Sequence, residues 1–117
     1  MGLKFSNNAS TTVDLICQAG DSSVRVVDQS KFPTLASGDY FYATLSDPSN
    51  TSWEIVKITG TSNNHFVIGT RGLEGTAAQA WVHGSILSLR MTTGMLEELM
   101  ASKEDAGAST AMAIALG

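Results

Sequence analysis

The sequence predicts a mainly β fold, a small barrel or compact sandwich of about six strands, followed by a short C-terminal helix and an apolar tail. Three observations carry that expectation. Short segments of alternating apolar and polar residues recur up to residue 91, separated by turn-forming residues, as in small all-β domains. A glycine-dense stretch, 69–84, lies between two of these segments. At Thr93 the apolar period changes from that of a strand to that of a helix. The resulting division is a β domain with an N-terminal arm over 1–92 and an assembly segment over 93–117.

Taken in order, residues 1–10 are polar and rich in Asn and Ser, and read as an extended arm with Leu3 and Phe5 as anchors. Residues 11–17 are β-branched and apolar, a first strand, and 18–21 form a turn by composition. Over 22–28, Val24 and Val26 face one way and Ser23, Arg25 and Val27 the other, which predicts a half-buried strand. The connection 29–39 bends at Phe32-Pro33 and Gly38-Asp39. Pro33 forces Phe32 out of the helical region, so no helix is expected there. In 40–47, Phe41, Ala43 and Leu45 oppose Tyr40, Tyr42 and Thr44, and 47–50 is a turn. Residues 53–61 are apolar on both faces near Ile55, Val56 and Ile58, which suits a central strand. A short hairpin turn at 62–64 leads into a strand at 65–71, and 86–91 supplies the last.

The bulk properties exclude several function classes. The chain has 117 residues, 43% of them hydrophobic and 15% charged, enough for one small core. Net charge is −4 and the cations are scattered, so no basic stripe for nucleic acid is present. No apolar run approaches a membrane span, and no membrane partner is expected. The N-terminus lacks the apolar stretch of a secretory signal, which predicts synthesis and folding in a cytoplasm. Cys17, between apolar neighbours Leu15 and Ile16, is expected to be a buried structural thiol.

Catalytic and ligand-binding patterns are missing. His65 and His83 have no companion ligand at metal spacing. The glycines at 69, 72 and 75 lack the lysine and following helix of a phosphate-binding loop. No nucleophile stands beside a base with a third orienting group. The expectation is a protein that is not an enzyme and holds no cofactor.

What the 69–84 stretch carries is architecture. Gly69, Gly72, Gly75 and Gly84 mean a backbone that turns sharply and repeatedly. Arg71 and Glu74 flank the same tight loop and are expected to pair across it, with Thr76 alongside and Trp81 as a core lid or an interface anchor. In the C-terminal segment, Met95, Leu96, Leu99 and Met100 form one helical stripe, Thr93 or Gly94 caps its start, and Glu97 and Glu98 sit in the first turn. So short a helix must dock on something. Met112, Ile114 and Leu116 in the apolar tail either fold back on the barrel or enter a partner. With the stripe they are the candidate assembly interface.

The run Arg71-Gly72-Leu73-Glu74-Gly75-Thr76, with Ala78, Trp81, Gly84, Leu89-Arg90 and Thr93-Gly94, resembles a small domain in virion proteins of tailed bacteriophages. That domain often stands at the start of tail-fibre or other tail-associated proteins. Upstream, Asn8-Ala9, Thr11-Thr12, Phe32-Pro33, Gly38-Asp39-Tyr40-Phe41 and Glu54-Ile55-Val56-Lys57-Ile58-Thr59 fit as well, so the resemblance runs from about residue 5 to 98. It implies a β-rich attachment module without catalytic residues, whose glycines shape a loop held by the Arg, Glu and Trp. Family members often continue into a long fibre, whereas here only a short helix and an apolar tail follow. The expectation is therefore a multi-copy tail, baseplate or tail-fibre adaptor of the virion, bound to other virion proteins and favouring a trimer. A capsid decoration protein is the alternative.

Overall fold

The computed structural model of the chain describes residues 2–4, 6, 9–90 and 92–105. Strand side chains alternate with a period of two, so each strand offers the core one face. The elements in chain order are β1 (Gly2–Leu3), β2 (Ser10–Thr12), β3 (Ser23–Arg25), β4 (Asp39–Ser46), β5 (Trp53–Ser62), β6 (His65–Leu73), β7 (Ile86–Ser88) and the helix α1 (Thr93–Asp105). Six strands form an antiparallel sheet in the order β2-β7-β4-β5-β6-β3, curled into a half-barrel. The fold is the mainly β one expected, with β5 central. The N-terminal arm adds one feature: β1 pairs in parallel with the start of β4.

Both edges of the sheet come together at a bridge between Val13 and Val26. There Val27 N–H donates to the Thr12 carbonyl at 3.0 Å and Asp14 N–H to the Arg25 carbonyl at 2.8 Å. The contact covers strand edges that would otherwise invite pairing with other chains. The first strand is shorter than its composition suggests, because past Val13 the chain runs alongside 81–85. Cys17 and Trp81 exchange both backbone hydrogen bonds there, at 2.8 and 2.7 Å. Leu15 and Ile16 face solvent while Cys17 is buried.

The β5–β6 hairpin closes on Asn63 and Asn64, both at positive φ, with Ser62 opposite His65. Asn tolerates this conformation and favours such two-residue turns. Gly69 does not turn the backbone as expected but lies within β6. The register shifts beside it, and a Cβ there would sit 2.6 Å from Thr59 Cγ2. Its role is close approach, not turning.

Inward residues Val13, Val24, Val26, Phe41, Leu45, Val56, Ile58, Phe66 and Leu87 fill the core. At one end Phe32, from the connection after β3, lies 5.0 Å from Phe66 and 5.7 Å from Phe41, ring centre to ring centre. Burying each phenyl contributes about 1.5–3 kcal/mol. The opposite end, where Leu45 pairs with Glu54, is closed by polar groups.

Candidate functional site

Glu54 follows Trp53 at the start of β5, and the pleat puts it on the same inward face as Val56 and Ile58. Its side chain is completely buried. A buried carboxylate needs hydrogen bonds to every lone pair it can fill. Here Arg71 reaches it with both prongs, Nε to Oε2 at 3.0 Å and Nη2 to Oε1 at 2.9 Å. Trp81 Nε1 donates to Oε1 at 2.9 Å, Gly72 N–H to Oε2 at 3.0 Å and Gln79 N–H to Oε1 at 3.2 Å. Burial pushes the Glu54 carboxyl up, but the hydrogen bonds from Arg71, Trp81 and Gln79 outweigh it and hold the group below its ordinary value.

Arg71 also donates to the carbonyls of Gln79 (3.0 Å), Asp21 (3.2 Å) and Gln18. One guanidinium thus joins β6, the 18–21 turn and the chain before Trp81. Its Nη1 lies 3.6 Å from Cys17 Sγ. Burial pushes that thiol up, and Arg71 offsets the effect only in part.

The expected Arg71–Glu74 pair is not formed. Gly72, Glu74 and Gly75 all adopt positive φ, at 60°, 53° and 83°. That path turns Glu74 away from Arg71 and toward α1. Glu74 Oε1 accepts from Gly94 N–H at 2.8 Å, and Oε2 from Thr92 Oγ1 at 2.6 Å. Thr92, not Thr93 or Gly94, is the capping residue: its Oγ1 accepts from Met95 N–H at 3.1 Å and its carbonyl from Leu96 N–H at 3.0 Å. The first turn of α1 holds no acidic residue, since Glu97 and Glu98 fall beyond it. Glu74 supplies the missing negative charge from another element. A Cβ at Gly94 would lie 2.6 Å from Glu74 Cδ, so a larger residue there would push the Glu74 carboxylate off the helix start. Thr76 pins the loop, accepting from Ile55 N–H at 3.0 Å and donating to the Leu73 carbonyl at 2.6 Å.

A second clamp holds the helix on the outer face of β4. Glu98 accepts from the Tyr42 hydroxyl at 2.6 Å and from the Tyr40 hydroxyl. The two rings meet edge to face at 5.7 Å, and Lys57 Nζ lies 4.3 Å above the Tyr40 ring. The hydrogen bond to Glu98, with burial, pushes the Tyr40 phenol up to about 12. Burial and the same carboxylate push Tyr42 up further.

The structure therefore brings Arg71, Gly72 and Trp81 together around Glu54, holds Thr76 against Ile55 and Leu73, and sends Glu74 to the helix start, with Gly75 in the open turn beside it. Gly84, at φ 91°, turns the chain into β7 and donates to the Val13 carbonyl. Met95 is buried within its own chain, and Leu96, Leu99 and Met100 are half-buried. Met112, Ile114 and Leu116 lie outside the described residues. From sequence, Thr92 is not named, Glu54 is named only within the resembling run 54–59, and Glu98 is placed at the helix dipole, not against Tyr40 and Tyr42. Glu54 had a signal: a carboxylate in phase with Val56 and Ile58 must find a buried partner. Among the described residues no cluster of His, Cys, Asp and Glu could hold a metal ion. His65 and His83 rest against the backbone carbonyls of Asn63 and Asp14.

No family model and no curated protein matches the chain. Among solved structures it is similar to part of the Gp54 tailspike of Acinetobacter baumannii bacteriophage AP22, which was solved in complex with A. baumannii capsular saccharide. The identity is 18% and the TM-score 0.44, with 71% of this chain and 15% of that chain covered. The chain thus spans about 15% of the tailspike's length.

Proposed function

We propose that the chain is a non-catalytic structural module of a tailed-phage particle, located at the tail or baseplate, where it attaches neighbouring virion proteins. One observation carries this reading. The side chains of the motif that resembles the virion domain are all engaged in architecture. Arg71 and Trp81 are spent on Glu54, and Glu74 has both oxygens on the start of α1. A motif whose polar groups are used up in this way serves to aim a helix from a rigid half-barrel.

The aimed helix is the attachment surface in this reading. Gly94, Met95 and Glu98 face the barrel, which leaves Leu96 and Met100, four residues apart, on the other side of α1. Such a stripe gains burial by meeting its counterparts in other copies, and a trimer suits a fibre-like position. A particle map of the phage that encodes the chain tests the reading. Density for the half-barrel at the tail or baseplate supports it, and density on the capsid shell assigns a decoration role instead. Absence from purified particles overturns both.

A further inference from the structure

Beside α1, the outer face of the sheet forms a groove of about 270 Å³ lined by Thr44, Asn50, Trp53, Ile55, Arg90 and Thr92. The register explains its construction. Thr44 pairs with Ile55 and Ser46 with Trp53, so two neighbouring outward rows supply floor and wall. Thr44 and Ile55 are buried, whereas Trp53 is 50% exposed. Its indole is thus an aromatic surface that the core does not use.

Arg90 is held in place by neutral groups. Its Nε donates to Ser88 Oγ at 2.9 Å, and Nη2 lies 3.4 Å from Ser46 Oγ and 3.3 Å from Asn50 Oδ1. Among the described residues it has no carboxylate partner, and its Nη1 donates to none of them. The Thr44 hydroxyl and the Asn50 amide nitrogen make no hydrogen bond to a described residue either. The groove therefore combines a preorganised cation without a counter-charge, a flat apolar wall and two neutral polar groups.

We propose that this groove binds an acidic pyranose, a single sugar ring bearing a carboxylate. The apolar C–H face of such a ring packs on the Trp53 indole. Its carboxylate meets the Arg90 guanidinium, which is suited to planar anions. Its hydroxyls reach Thr44 Oγ1 and Asn50 Nδ2. The small volume fits one ring, where specificity rests on a few polar groups around an apolar surface. The inference stands on the groove alone and does not depend on the virion reading.

The test is a titration of the full chain with glucuronate, glucose and acetate, followed by the indole N–H resonances. Trp81, hydrogen-bonded to buried Glu54, serves as the internal reference. Glucuronate should shift the Trp53 signal saturably, with glucose about tenfold weaker, the loss expected for one charge-assisted hydrogen bond. Acetate should not saturate. Arg90→Gln should bring glucuronate down to the glucose level, and in Trp53→Ala the backbone amides of Asn50 and Arg90, which glucuronate shifts in the parent, should stay unmoved. Equal shifts with acetate and glucuronate would overturn the proposal, as would an unmoved Trp53 signal.

Discussion

Arg71 and Glu54, 17 residues apart, join β6 to β5 through two parallel hydrogen bonds of 2.9 and 3.0 Å inside a buried end of the half-barrel. Removing one partner leaves the other's charge stranded. Glu54→Gln should therefore destabilise by about 3 kcal/mol, toward the lower end of the effect of breaking a buried ion pair, because an amide oxygen remains to accept. Urea unfolding measures it. A midpoint equal to the parent's would mean that the pair contributes nothing.

The same carboxylate sets the response to acid. Its folded pKa lies below the unfolded value, so its contribution is fully present above the ordinary carboxylate range of about 4.3. It is lost as pH falls through the lower folded value. Stability followed from pH 6 to pH 2 should fall more steeply for the parent than for Glu54→Gln. Parallel curves would assign acid sensitivity to other carboxylates.

At the alkaline end the signs reverse. The Tyr40 and Tyr42 phenols titrate higher when folded, so the stability they lend is complete below the ordinary value of about 10 and is lost as pH rises through about 12 for Tyr40 and higher still for Tyr42. Tyrosinate absorbance should show both phenols ionising late, together with loss of helical circular dichroism. Glu98→Gln should bring that ionisation closer to pH 10. No change on substitution would dissociate the helix from the tyrosines.

Two glycines of the loop should behave differently. Gly72 has φ 60° and a Cβ there would lie 3.1 Å from Ala78 N and 3.2 Å from Thr76 O. Gly75 has φ 83° with open space around it. Both substitutions to Ala cost backbone strain of about 1–3 kcal/mol, with Gly72→Ala the more damaging because the clash adds to it. Thermal unfolding that ranks them the other way would contradict this geometry.

Glu74→Ala removes the acceptor of Gly94 N–H and the partner of the Thr92 hydroxyl. It should cost about 0.5–2 kcal/mol, as a lost cap does. Hydrogen exchange at Gly94 should rise while the core amides of β4 and β5 keep their protection. Uniform loss of protection would show that Glu74 supports the barrel as a whole.

Local chemistry wrote most of the fold into the chain. Alternation at Phe41, Ala43 and Leu45, the Asn63-Asn64 turn and the change of period at Thr93 each depend on neighbours a few residues away, and each element appears where they put it. The polar partnerships were decided only in three dimensions. Arg71 has Glu74 nearby in sequence and takes Glu54 instead, because left-handed backbone at Gly72, Glu74 and Gly75 swings Glu74 outward and the pleat of β5 turns Glu54 inward. Sequence distance governs which elements form; the surroundings of each charge in the folded chain, wet or dry, govern which charges meet.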